Sequence, residues 1–174
     1  MSEFSKEFAM VCLMILFLIG LVVELVRLQV RPGAIKIFDK FFRKHEVDHA
    51  SGSLYVLISS VICFAVFDYW IAVVAMLMMI FGDLFSAIIG KSVGGPKIYK
   101  DKTWIGTISG LIANFLVGII ILPFPLIVVP MAVVATITEL FSDKLDDNLT
   151  VPMFAGFVGQ MILYYLTYIG YVTF

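Results

Sequence analysis

Apolar positions come in long runs broken by short polar clusters, a pattern that matches membrane helices better than the two-residue alternation of strands. A helix crossing the hydrocarbon core needs about 20 residues at a rise of about 1.5 Å each. The first such run extends from about Phe8 to Leu28. The next, Ser51 to Gly90, is too long for one crossing; Asp68, followed by Tyr69 and Trp70 of the interfacial type, marks a tight turn between two helices. A fourth span is expected from about Thr103 to Leu122. Pro123-Phe-Pro125 then marks a turn before a fifth span ending near Phe141, and a sixth covers roughly Val151 to Phe174. No strand alternation, repeat or low-complexity tract interrupts the series. The expected fold is all-α: a polytopic bundle of about six transmembrane helices in a single domain spanning residues 1–174.

Composition agrees. Of 174 residues, 61% are hydrophobic and 14% charged, and the mean hydropathy is +1.06, which points to lipid as the solvent. Nothing suggests nucleic acid as a partner. Cys12 and Cys63 fall inside apolar runs and are expected to be small buried hydrophobes. The first run lacks a basic segment before it and a small-x-small cleavage pattern after it, so a retained helix is expected rather than a secretory signal. The net charge of −1 hides a segregation that sets orientation. Arg27, Arg31, Lys36, Lys40, Arg43 and Lys44 flank the first connection, Lys91, Lys97, Lys100 and Lys102 the third, and Lys144 the fifth. Eleven of the twelve basic residues thus share one side, with Lys6 opposite. Because Lys and Arg are retained in the cytoplasm, this predicts a multi-pass protein with three cytoplasmic loops and both termini non-cytoplasmic.

The chemically capable residues gather on that same face. Asp83 lies near the end of the third span, where a carboxylate just inside hydrocarbon normally faces a cavity, a cation or a metal; the plain alternative is an Asp snorkelling to water. Gly82, Ser86, Ala87 and Gly90 keep the helix face beside it small. Next comes Gly90-Lys-Ser-Val-Gly-Gly-Pro-Lys-Ile-Tyr-Lys-Asp-Lys-Thr-Trp104, glycine-rich and carrying four lysines. Glycines let backbone amides approach phosphate oxygens, and the following helix N-terminus adds its positive end, so a phosphate cradle is one reading. A topology determinant or a contact for anionic headgroups is the other. It is not a Walker A loop. Between the fifth and sixth spans, Glu139, Asp143, Asp146 and Asp147 precede Asn148. Oxygen-only clusters of this kind suit Mg²⁺, while helix capping and turn formation are the alternative. His45, Glu46 and His49 are thin grounds for zinc; Arg43 and Glu46 fit better as polar contributors to a shared site.

At these residues, over roughly Phe42 to Gly156, the chain resembles the CTP-dependent lipid alcohol kinases, the family of dolichol kinase, phytol kinase and the CTP-using diacylglycerol kinase. The resemblance rests on Arg43-x-x-Glu46 before Gly52-Ser-x-Tyr55, Gly82-Asp83, Gly90-Lys91-x-x-Gly94, Lys102-Thr103-x-x-Gly106-Thr107, and Glu139 leading to Asp146-Asp-Asn-Leu-Thr-Val-Pro152. Ile105 stands where the family commonly has Glu, and the Arg-Lys-x-x-His element with which many members begin is absent. The resemblance implies transfer of the CTP γ-phosphoryl group to the hydroxyl of a membrane lipid alcohol (a polyprenol, a phytol-type alcohol or diacylglycerol), with Mg²⁺ or another divalent cation, at the cytoplasmic face. It implies Asp83, Asp146 and Asp147 as catalytic carboxylates and Asp83, Glu139 and Asp147 as metal ligands. Gly90, Lys91, Gly94, Gly95, Lys97, Lys102, Thr103, Gly106 and Asn148 would then contact the nucleotide. The lipid chain is expected between small-residue faces such as Gly106, Gly110, Ala113 and Gly118. Lys102-Thr-Trp-Ile-Gly106 also looks like phosphatidate cytidylyltransferase, so a CDP-lipid synthase is one competing function and a non-catalytic transporter or scaffold another.

Overall fold

The computed structural model describes residues 3–29, 51–142 and 146–171. Among the described residues six helices follow one another: α1 (Glu3–Gln29), α2 (Gly52–Val66), α3 (Tyr69–Val93), α4 (Trp104–Ile121), α5 (Pro125–Phe141) and α6 (Asp147–Tyr168). This is the expected all-α bundle. α1, α3, α4 and α6 are long and apolar enough to cross a membrane, whereas α2 and α5 have 15 and 17 residues.

Each break has a local cause. Phe67 and Asp68 adopt extended backbone between α2 and α3. There the Asp68 N–H donates to Gln160 Oε1 at 2.7 Å, and the Gln160 amide donates back to the Asp68 carboxylate. The polar interruption in the sequence is thus met by Gln160 on α6, whose buried amide needs a partner away from water. Leu122 and Phe124 are extended before Pro125, which opens α5 as its first residue. α6 begins four residues before the apolar run does, because Asp146 caps it: the Asn148 N–H donates to Asp146 Oδ1 at 2.9 Å.

One element escapes the apolar pattern. Between α3 and α4 the chain forms a small antiparallel ribbon of β1 (Lys97–Tyr99) and β2 (Lys102–Thr103), with Lys97 opposite Thr103 and Tyr99 opposite Lys102. Two or three residues per strand are too few for alternation to register. The chain reaches the ribbon through Gly94 at φ +70° and Gly95 at φ +116°, a region L-residues seldom adopt.

The core lies where α3 is surrounded by α2, α4, α5 and α6. Ile71, Val74, Met78, Ile127, Val128 and Met131 are fully buried there. α1 packs against α2, with Gly20 under Leu57. Beside it, the buried Glu24 accepts from the Ser51 N–H at 2.9 Å and the Ser51 hydroxyl at 3.1 Å, at the start of α2. Cys63 is buried and Cys12 half-buried, both as free thiols.

Candidate active site

The site is built on the seam between α3 and α4, whose small residues meet face to face. A Cβ on Gly106 would stand 2.8 Å from the Ser86 carbonyl oxygen and 3.1 Å from the Gly90 Cα. A Cβ on Gly110 would stand 3.2 Å from the Gly82 carbonyl oxygen and from the Ser86 Cβ. Backbones this close occur where both helices offer only small residues. Spacing of three or four residues puts Gly82, Ser86 and Gly90 on one face of α3 and Gly106 and Gly110 on one face of α4. Asp83 follows Gly82, so the seam fixes where its carboxylate emerges.

The seam also makes room for α5. Glu139, 6% exposed, lays its carboxylate beside the gap at Gly110, where Oε2 would be 3.7 Å from an added Cβ, and the Ser86 hydroxyl faces it. An ionised carboxylate in such surroundings costs several kcal/mol if unpaired. Lys102, at the end of the ribbon, supplies the pairing. Its ammonium donates to the Glu139 carbonyl oxygen and sits 3.4 Å from Oε1. Tyr99 meets Phe141 edge to face with ring centroids 5.5 Å apart, so the ribbon is folded back over the end of α5.

Two further carboxylates complete the group. Asp83 is exposed and accepts no hydrogen bond from a described residue; its charge is felt by both Glu139 and Asp147. Asp147, the first residue of α6, also feels Asp146 and Lys102. Side chains from α3, the ribbon, α5 and α6 therefore converge at one end of the bundle. Among the described residues, no three acidic, His or Cys side chains are close enough to form a metal cage by themselves. The donors are all oxygens, with Glu139 engaged by Lys102 and Asp83 and Asp147 more open. That set fits a magnesium ion held through one or two carboxylates, waters and phosphate oxygens.

The remaining sequence-derived candidates divide. Gly90 and Gly106 are taken up by the helix seam, and Thr103 caps α4 by accepting from the Gly106 N–H at 3.2 Å. Asp146 is the cap of α6, and the Asn148 amide donates to its Oδ1 at 2.6 Å. Lys91, at the end of α3, is exposed, as is Gly95, while Gly94 is half-buried. The Ile105 side chain lies over Gly95, 3.3 Å from where a Cβ would be. Exposed Lys97 pairs with Asp101 at 2.7 Å and holds that carboxyl below its usual range, first by the hydrogen bond and then by charge. Arg43 and Glu46 lie outside the described residues. The expectation of a lipid chain along Gly106, Gly110, Ala113 and Gly118 is corrected: neighbouring helices fill these faces. A Cβ on Gly118, for example, would stand 2.6 Å from Val128 Cγ1 and 2.7 Å from Met78 Cε. The small residues serve helix contact. Sequence reasoning missed Asn114, a lone amide in an apolar run, which is buried one turn below Gly110.

Comparison with known proteins bears on this arrangement. The chain is 32% identical over 135 residues to probable phytol kinase 3, chloroplastic, of Glycine max, covering 64% of this chain and 41% of that one. It is 32% identical over 133 residues to a probable chloroplastic phytol kinase of Triticum aestivum, covering 64% and 44%. The chain is thus similar to proteins named phytol kinases. A third such protein, probable phytol kinase 1 of Oryza sativa subsp. japonica, is 30% identical over 136 residues, covering 66% of this chain and 43% of its own length. The chain thus spans less than half the length of these relatives. No family model and no solved structure matches it.

Proposed function

We propose that this chain is a CTP-dependent lipid alcohol kinase, transferring the γ-phosphoryl group of CTP to the hydroxyl of a membrane lipid alcohol and releasing CDP. The observation that carries the reading is the convergence of Asp83, Glu139 and Asp147 with Lys102 on a glycine-lined helix seam, in a chain similar to proteins named phytol kinases. A phytol-type isoprenoid alcohol is the acceptor those names favour.

Phosphoryl transfer asks a protein chiefly for positioning and for positive charge around the moving group. Lys102, held over Glu139, offers an ammonium to the phosphates, with exposed Lys91 at the end of α3 and exposed Lys97 on the ribbon. A magnesium ion held through Asp147, waters and phosphate oxygens would neutralise charge there. Asp83, exposed and without a hydrogen-bonding partner among the described residues, is the carboxylate to orient the acceptor hydroxyl and take its proton. Glu139, paired and buried, keeps Lys102 in place. The polytopic arrangement with this end of the bundle in the cytoplasm, inferred from the lysines and arginines, gives the site access to CTP.

The test is incubation of purified protein in lipid nanodiscs with γ-labelled CTP, Mg²⁺ and a panel of phytol, polyprenols and diacylglycerol. The expected product is labelled lipid monophosphate with CDP. Release of pyrophosphate with a CDP-lipid would establish the cytidylyltransferase instead, and folded protein that labels no lipid would remove the kinase.

A further inference from the structure

One layer beneath the carboxylates lies a polar group that the chemistry above does not use. Asn114 is 1% exposed in the middle of α4, between α3 and α5. Its Nδ2 donates to Thr136 Oγ1 at 3.2 Å, and Thr136, itself 6% exposed, donates to the Ala132 carbonyl at 2.9 Å. On its other side the amide abuts α3. A Cβ on Gly82 would stand 2.6 Å from Asn114 Oδ1 and 2.9 Å from Nδ2, so Gly82 is the notch into which the amide fits. Oδ1 is buried and accepts no hydrogen bond from a described residue.

Stability alone is a poor reason for this residue. Leucine has the same branching, with larger end groups, and would fill the space without a buried unsatisfied acceptor. What leucine cannot supply is a directional tie to Thr136. The two ends of that tie are placed tellingly: Gly82 is the neighbour of Asp83, and Thr136 lies one helical turn from Glu139. The clamp therefore joins the α3 segment carrying one carboxylate to the α5 segment carrying another.

We propose that Asn114 is a positioning residue, seating α3 at Gly82 and tying it through Thr136 to α5 so that Asp83 and Glu139 keep the separation phosphoryl transfer needs. The inference rests on the kinase reading. Displacing reacting groups by about 1 Å costs on the order of a hundredfold in rate. Asn114→Leu is accordingly expected to lower kcat about 10- to 100-fold while leaving the KM for CTP within about threefold, with the protein folded and its melting temperature lowered only by the added bulk of the methyl groups.

Gly82→Ala separates a hydrogen-bonded clamp from mere space filling, since its methyl group collides with the amide. In Gly82→Ala/Asn114→Ala the collision is gone but so is the bond to Thr136. The double variant is expected to regain its melting temperature and keep the low kcat. Recovery of wild-type kcat in the double variant, or wild-type kcat in Asn114→Leu, would overturn the proposal. Should wild-type protein phosphorylate no alcohol, the kinase reading fails on its own. Hydrogen exchange then decides for Asn114: faster exchange of the α3 amides around Gly82–Ser86 in Asn114→Leu supports the clamp, and unchanged exchange refutes it.

Discussion

Among the individual side chains, those that carry charge into apolar surroundings were the legible ones. Asp83, Glu139 and Asp147 stand out because a carboxylate at the end of a hydrophobic run has to be accounted for, and the fold brings all three within electrostatic reach. Selection among the lysines was not legible. Lys91, Lys97, Lys100 and Lys102 look alike in a glycine-rich loop, and only the folding back of the ribbon selects Lys102 to meet Glu139. Asn114 went unread because a single amide in a span has no pattern to belong to. Two expectations belong at this scale. Asp83→Asn keeps shape and removes charge, so phosphoryl transfer should fall about 10²- to 10⁴-fold with membrane insertion unchanged, as measured by labelled-lipid formation in nanodiscs. Lys102→Met leaves the Glu139 carboxylate buried without its cation. It should raise the KM for CTP at least about tenfold and destabilise the protein by about 1–3 kcal/mol in thermal unfolding.

Elements were legible in proportion to their length. The turns at Asp68 and at Pro123–Pro125 fall where polar or proline residues break an apolar run, and the helices on either side match the expected limits closely. The start of α6 does not, since hydropathy sees only where apolar residues begin, whereas a helix begins where its first N–H groups find an acceptor. Asp146 is that acceptor. Asp146→Ala should therefore cost about 1 kcal/mol of stability and Asp146→Ser recover most of it. If Asp146 acts only as a cap, Asp146→Ser should also retain near-normal turnover, and a serine variant that is stable but inactive would return Asp146 to the chemistry. The ribbon was invisible for a different reason. It is held by Tyr99 on Phe141 and Lys102 on Glu139, contacts some forty residues apart in sequence that no local pattern encodes.

For the molecule as a whole, composition was enough to expect a helical bundle with spans long and apolar enough to cross a membrane, and the placement of lysines and arginines supplies its proposed orientation. The helix lengths add a mechanical corollary. In the six-crossing reading, α2 and α5 are only about 22 Å and 26 Å long, set against a hydrocarbon layer of about 30 Å. Lipid beside a short helix thins to match it. α5 ends two residues after Glu139, so the bilayer is expected to dip beside the carboxylates and bring an alcohol headgroup down to them. Turnover should then rise in nanodiscs of shorter-chain phosphatidylcholine and fall as acyl chains lengthen, with the KM for CTP unchanged; a flat profile would remove the dip from the account. The two short helices would make bilayer thickness itself a regulator, so that the same chain works faster or slower according to the membrane in which it sits.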